Sequence, residues 1–214
     1  MKIDRFIKFL NNTELGRGNT NESYMYIKKD FEIDFLFEGY DNFFSIKDNS
    51  EETYPLRLTK GNEKRIVGLG TYYRNYNLDA GDGVVLERVE HNGKIDFMIS
   101  HIKKSYVLVF MKIGMKGFEV LNETEKIAAL DFTKKLKYNG SSFSFSLTYK
   151  STQKKQINSP DVTDFYLLEL RSLDDNSLFE LKDVDNGDML EIIKNGQEYL
   201  LKKIEPYFVQ RVKL

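Results

Sequence analysis

Residues 15–23, Leu-Gly-Arg-Gly-Asn-Thr-Asn-Glu-Ser, place Arg17, Asn19, Thr20, Asn21, Glu22 and Ser23 on a polar, glycine-containing segment ahead of Tyr24–Ile27. These side chains match the hydrogen-bonding edges of nucleic-acid bases. Arg forks onto guanine, Asn pairs with adenine, and a carboxylate accepts from cytosine. Glycine lets the backbone come close to a groove. The same composition also fits an ordinary surface turn. A second segment, Arg57 to Asn75, brings Arg57, Lys60, Lys64 and Arg65 together with Gly68, Gly70, Thr71, Tyr72, Tyr73, Arg74 and Asn75. It suits phosphate positioning combined with base contact. The competing reading puts its tyrosines in a core and its cations in water.

One carboxylate arrangement points to different chemistry. Pro160-Asp161 followed by Glu169-Leu170-Arg171 follows the Pro-Asp…Glu-x-Lys layout of metal-dependent nucleases. In that layout two carboxylates hold Mg²⁺ and the Lys positions a water. Arg171 stands where the Lys belongs, and a guanidinium does not give up its proton. A turn followed by a strand with Glu169 and Arg171 on its solvent face is the plain alternative. The only histidines are His91 and His101, too few for a His-rich metal site, and no phosphate-cradling Gly-rich loop or Gly-x-Ser-x-Gly elbow occurs. The residues therefore imply no metal and no cofactor, with Mg²⁺ entering only through the Asp161/Glu169 alternative.

The elements that must position these residues are mostly strands. The 214 residues are 41% hydrophobic and 14% aromatic, enough for a buried core and too apolar for disorder. Lys and Arg total 32 against 33 Asp and Glu, so a net charge of −1 excludes a uniformly basic coat but not a local basic face. The charge is uneven: residues 30–52 balance to −7 and residues 53–75 to +4. Cysteine is absent, which removes disulfides, thiolate metal sites and cysteine nucleophiles and fits a reducing cytoplasm. With no long apolar run and no signal-peptide pattern, a soluble, cytoplasmic protein away from membranes is expected.

Apolar residues at 3, 6, 7 and 10 predict a short amphipathic helix over Ile3–Leu10. Beyond it, aromatic and β-branched runs predict strands at 24–27, 43–46, 84–89, 106–113, 143–149, 165–170 and 189–193. Asn92-Gly93 and Asn195-Gly196 each separate two apolar runs, as tight hairpin turns require. A short helix is expected at 71–76, and a longer one from Asn122, its cap, to about Lys137. Leu78-Asp79-Ala80-Gly81-Asp82 and Val184-Asp185-Asn186-Gly187-Asp188 echo each other, with their Gly-Asp pairs 106 positions apart. A duplication and a chance likeness of two β-hairpins both account for it.

The run Tyr72 to Glu87 (Tyr-Tyr-Arg-Asn-Tyr-Asn-Leu-Asp-Ala-Gly-Asp-Gly-Val-Val-Leu-Glu) resembles the aromatic…Asn-x-Leu-x-x-Gly-Asp-x-Val-x-x-Glu signature of B-three-type DNA-binding pseudobarrels. These domains occur in plant transcription factors and as effector domains of EcoRII-type restriction endonucleases. Glu14–Ile27 is similar to the first arm of the restriction-enzyme branch, and Arg65-Ile66-Val67-Gly68-Leu69-Gly70 to its second arm. The resemblance covers residues 12 to 102. Lys28-Lys29 replaces the usual Ile-Pro-Lys turn, and an acidic stretch follows it.

A mainly β protein with short helices is expected. The resemblance implies a seven-stranded open pseudobarrel over 1–104. The strand runs and the echo, without any resemblance, predict a smaller β-rich unit with one helix over 105–214, a degenerate repeat being one account of it. The resemblance also implies sequence-specific binding of double-stranded DNA, two arms entering the major groove, as the effector domain of a restriction endonuclease. Arg17, Asn19, Thr20, Asn21, Glu22 and Ser23 would form the first arm. Arg65, Thr71, Tyr72, Tyr73, Arg74 and Asn75 would form the second, with Arg57, Lys60 and Lys64 towards phosphates. The implied partners are duplex DNA and a catalytic nuclease domain or subunit. A complete Mg²⁺-dependent nuclease and a β-rich protein-interaction module remain the alternatives.

Overall fold

The computed structural model describes residues 1–17, 22–29, 31–61, 63–104, 108–121, 135–154 and 162–213. The chain divides into two units, Met1–Lys104 with Pro206–Leu214, and Ser105–Glu205. The first contains β1 (Lys2–Phe9), β2 (Tyr24–Ile27), β3 (Phe43–Lys47), β4 (Thr53–Lys60), β5 (Lys64–Val67), α1 (Gly70–Asn75), β6 (Gly83–His91) and β7 (Lys94–Ile102). The second contains β8 (Leu108–Ile113), β9 (Gly117–Val120), β10 (Lys135–Tyr138), β11 (Ser141–Lys154), β12 (Val162–Ser172), β13 (Leu178–Phe179), β14 (Met189–Asn195) and β15 (Glu198–Ile204). The last strand, β16 (Tyr207–Lys213), returns to the first unit by pairing antiparallel with β1. The second unit was expected to run to 214; the returning strand takes residues 206–214 out of it. No helix among the described residues is long and apolar enough to cross a membrane.

The expected N-terminal helix is a strand. In β1 and just beyond it, Asp4, Phe6, Lys8 and Leu10 are buried, a period of two. Two of these four are charged, so the apolar residues alone imitate helical spacing. Each buried charge has a partner: Lys2 on Asp4 at 2.8 Å, and Glu14 on Lys8 at 3.0 Å. Between β6 and β16, β1 is an interior strand of its sheet.

The first unit is an open sheet in the order β16-β1-β6-β7-β3-β4-β5-β2, wrapped over one aromatic-rich core that includes Phe6, Phe44, Tyr54, Tyr72 and Phe97. The β6–β7 hairpin turns on Asn92 and Gly93, at φ 50° and 74°, as the two central positions of such a turn require. Asn139-Gly140, not anticipated, makes the equivalent turn between β10 and β11, at φ 47° and 84°. The second expected turn is displaced by one residue. Asn195 pairs with Glu198, leaving Gly196-Gln197 in the loop.

The second unit runs β11-β10-β15-β14-β8-β9-β12, and a β11–β12 pairing closes it into a seven-stranded barrel around Phe110, Phe145, Leu170, Leu190 and Leu201. Of the helix expected from Asn122 to Lys137, residues 122–134 lie outside the described residues. Lys135–Lys137 are in β10, a strand.

Set side by side, the two units share one strand order. β1-β6-β7-β3-β4-β5-β2 and β8-β14-β15-β10-β11-β12-β9 match position for position, including the single parallel pairing, β3–β7 and β10–β15. They differ at the seam. β8 and β9 are joined through Gly114–Lys116 and pair directly. β1 and β2 are joined through residues 10–23 and do not pair; β2 ends the sheet, while β1 lies between β6 and the terminal β16. A connection that short holds two strands in register, while a long one releases the edge.

Candidate nucleic-acid interface

The first arm leaves β1 through one capped helical turn. Asn11 Oδ1 accepts from Glu14 N at 3.0 Å, and Glu14 Oε2 accepts from Asn11 N at 3.0 Å. This is the reciprocal arrangement of a capping box. The buried Glu14 carboxylate also accepts from Lys8 Nζ at 3.0 Å and from Tyr26 N at 2.9 Å. One side chain thus ties the base of the arm to both β1 and β2. The Asn11…Glu14 spacing is readable in the sequence and is the signal that would have located this anchor.

The second arm is carried by β5 and α1. Tyr72 and Tyr73 are buried, with Tyr72 OH 2.9 Å from His101 Nδ1. Both are core side chains that anchor α1, where the resemblance implied a place on the second DNA-reading arm. Burial pushes both phenols well above their ordinary value, Tyr72 assisted by the nearby Tyr76 and Asp48 and Tyr73 by Glu14. Just past α1, Tyr76 donates to Asp48 Oδ2 at 2.7 Å, and Tyr54 donates to the same oxygen at 3.0 Å. Burial alone would raise the Asp48 pKa. The Tyr76 and Tyr54 hydroxyls and the Ser50 and Glu52 amides outweigh it, so the carboxyl sits below its ordinary value. The inner side of α1 is therefore fixed, and Thr71, Arg74 and Asn75 are left on its exposed side.

The two arms meet at Gly70. A side chain placed there would come within 3.3 Å of Ser23 Cβ and Oγ and within 3.4 Å of an Arg74 nitrogen. Beside this contact, the Arg65 guanidinium lies 4.2 Å over the Tyr24 ring. It is also paired with Glu63, whose hydrogen bond is the largest cause raising the Arg65 pKa. Arg57 is exposed and in register with Val67, which faces Tyr24, so it extends the same surface by one strand. Tyr26, facing Arg65 across the β2–β5 pair and partly exposed, belongs to this surface as well. Sequence reading passed over Tyr24 and Tyr26, although their alternate positions on a short strand put them on one face.

Several expected contacts are already engaged. Arg17 donates to Asp79 Oδ1 at 2.5 Å and to the Leu78 carbonyl at 3.2 Å. Arg74 donates to Thr71 Oγ1 at 3.2 Å, and Asn75 to Glu52 Oε2 at 3.1 Å. Lys64 Nζ donates to the Phe31 carbonyl at 2.9 Å and serves as a strut for the β2–β3 connection. Glu22 is exposed beside Ser23. Asn19, Thr20, Asn21 and the Lys60 side chain lie outside the described residues. So does Asp161. Glu169 and Arg171 are exposed on β12, 3.9 Å apart. Among the described residues, no three His, Asp or Glu side chains cluster as a metal site would require.

Behind the arms, Asp82 fixes the signature turn. It is buried and accepts from Asp79 N at 2.8 Å and from Lys103 Nζ at 2.7 Å. Gly81, at φ 91°, donates to the Leu10 carbonyl at 2.8 Å. The second unit repeats this turn. Asp188 accepts from Asp185 N at 2.8 Å and pairs with Lys203 at 2.5 Å, and Gly187, at φ 88°, donates to the Lys112 carbonyl at 2.8 Å.

No protein-family model and no curated protein matches the chain. Solved structures similar to it include a hypothetical protein of Arabidopsis thaliana, 14% identical over 48% of this chain and 93% of that one, with a TM-score of 0.33. They also include the N-terminal domain of LlaJI.R1 from Helicobacter pylori, 15% identical over 49% of this chain and 83% of that one, with a TM-score of 0.31.

Proposed function

We propose that the first unit binds double-stranded DNA in a sequence-dependent way, as the recognition module of a restriction endonuclease whose cutting is done by a separate domain or subunit. The observation that carries this reading is the meeting of the two arms at Gly70, with Ser23 and Arg74 beside it and Arg65 over the ring of Tyr24, the residue next to Ser23. The restriction-enzyme setting rests on the resemblance of Glu14–Ile27, Arg65–Gly70 and Tyr72–Glu87 to that branch.

Arg65 and Arg74 supply planar donors to base edges, and Arg57 supplies charge to a phosphate. In the free protein Glu63 and Asp79 occupy the Arg65 and Arg17 guanidiniums. Binding therefore exchanges a carboxylate for a nucleic-acid acceptor, which favours targets that offer a two-point acceptor over bare charge.

Selection from a random duplex pool tests this reading. One short enriched motif is expected. Arg65→Ala and Arg74→Ala should each weaken binding to that motif by about 1–3 kcal/mol while binding to unrelated duplex changes little. Glu63→Gln should tighten binding to both. A pool that yields no enriched motif, or no retained duplex at low salt, would end the proposal.

A further inference from the structure

The repeated strand order gives each arm of the first unit a counterpart in the second. The β1–β2 connection corresponds to Gly114–Lys116 between β8 and β9, and the β4–β5 connection to the end of the long β11–β12 hairpin. The first of these counterparts is not shaped for base reading. It is a three-residue turn with no reach. What these segments carry is lysine with no ion pair among the described residues.

Lys116 lies over the Phe165 ring with Nζ 5.4 Å from its centre. Lys150 is the extra residue at a β-bulge between Tyr149 and Ser151, and its Nζ donates to the Met115 carbonyl at 2.6 Å. A bulge of this kind re-aims the side chain it carries. Lys154 is exposed at the end of β11, opposite Val162. Among the described residues no carboxylate is within ion-pair distance of these three lysines, unlike Arg17 and Arg65 in the first unit.

Among the described residues, neither acid of the same hairpin is within ion-pair distance of these lysines. Asp164 accepts from Thr152 at 2.5 Å, and Glu169 lies beside Arg171 at 3.9 Å. Met115, 96% exposed, and Tyr149, 58% exposed, flank the lysines and add no charge of their own.

We propose that Lys116, Lys150 and Lys154 form a second DNA contact, directed at the phosphate backbone of a duplex and indifferent to its sequence. An ammonium is a point charge without the planar fork that bases require, so it strengthens binding without adding discrimination. The inference rests on the DNA-binding reading of the first unit and extends it to a division of labour: one barrel reads, and its closed counterpart holds.

The experiment uses the full chain and two duplexes, the selected target and an unrelated sequence, titrated across a salt series. Wild type is compared with the triple variant Lys116→Gln, Lys150→Gln, Lys154→Gln, with the corresponding triple Arg variant and with Arg65→Ala. The Gln triple should lower affinity for both duplexes by the same factor. It should also reduce the slope of log K against log salt by about 2–3, the release expected for three phosphate contacts. The Arg triple should restore both quantities, which separates charge from damage to the fold.

Unchanged affinity and slope in the Gln triple, with Arg65→Ala still losing the target, overturns the second contact and leaves the first unit's reading intact. A Gln triple that loses only target discrimination overturns it too. Wild type that binds neither duplex overturns both.

Discussion

Asp48 shows how one side chain decides where the second arm stands. Its carboxylate collects the Tyr76 and Tyr54 hydroxyls and the Ser50 and Glu52 amides, so α1 is clamped to the β3–β4 turn. These donors favour the charged form and hold the folded pKa below the ordinary carboxylate value of about 4. A depressed folded pKa contributes stability that is complete above the unfolded value and lost as pH falls through the folded one. Denaturation series between neutral pH and about pH 3 should therefore show wild type losing stability more steeply than Asp48→Asn. Parallel pH curves for the two proteins would remove Asp48 from this role. In the sequence Asp48 is one acid among eight in a stretch that looks like solvated surface. Its burial depends on tyrosines 6 and 28 positions away, which local composition does not encode.

The Asp-x-x-Asp turn is the element the two units share. In each, the second Asp satisfies the first one's amide, a lysine neutralises it, and a left-handed glycine closes back on the opening strand. Removing the carboxylate leaves an amide and an ammonium without their partner, at a cost of about 1–3 kcal/mol. Asp82→Ala and Asp188→Ala should thus each destabilise the protein by that amount. Hydrogen exchange should rise around β1 and β6 for the first and around β8 and β14 for the second. A large effect from one and none from the other would argue against a shared device. The echo at these positions was visible in the sequence, but its meaning was not. A Gly-Asp before a strand is common turn chemistry, and only the matching register of seven strands separates a repeated fold from two similar hairpins.

At the scale of the molecule, the returning strand matters most to the open unit. Tyr207 stacks with Phe31 at 4.8 Å and with Phe6 at 6.1 Å. Its hydroxyl donates to the Tyr26 carbonyl at 3.1 Å and accepts from Lys28 N at 3.3 Å, bridging the β1 side of the seam to β2. Deleting residues 206–214 should destabilise the first unit by about 1–3 kcal/mol, through the lost contacts of the half-buried Tyr207, and expose the β1 edge. Exchange protection of β10, β11 and β15 should hardly change. If the deletion left the protection of β1 and β2 intact, β16 would be an ornament to the sheet.

What the sequence determined by itself was the β-rich character, the Asn92-Gly93 hairpin, the short α1 and the two polar segments, because each is written in residues that are neighbours along the chain. Three things were settled only by tertiary structure. β1 became a strand because β6 and β16, from far along the chain, pair with it on either side and bury its alternate residues. Tyr72 and Tyr73 became anchors because their rings are buried in the core of the first unit. The two arms converge because a glycine leaves room for a serine 47 residues earlier in the chain, a proximity that only the tertiary packing of the first unit creates.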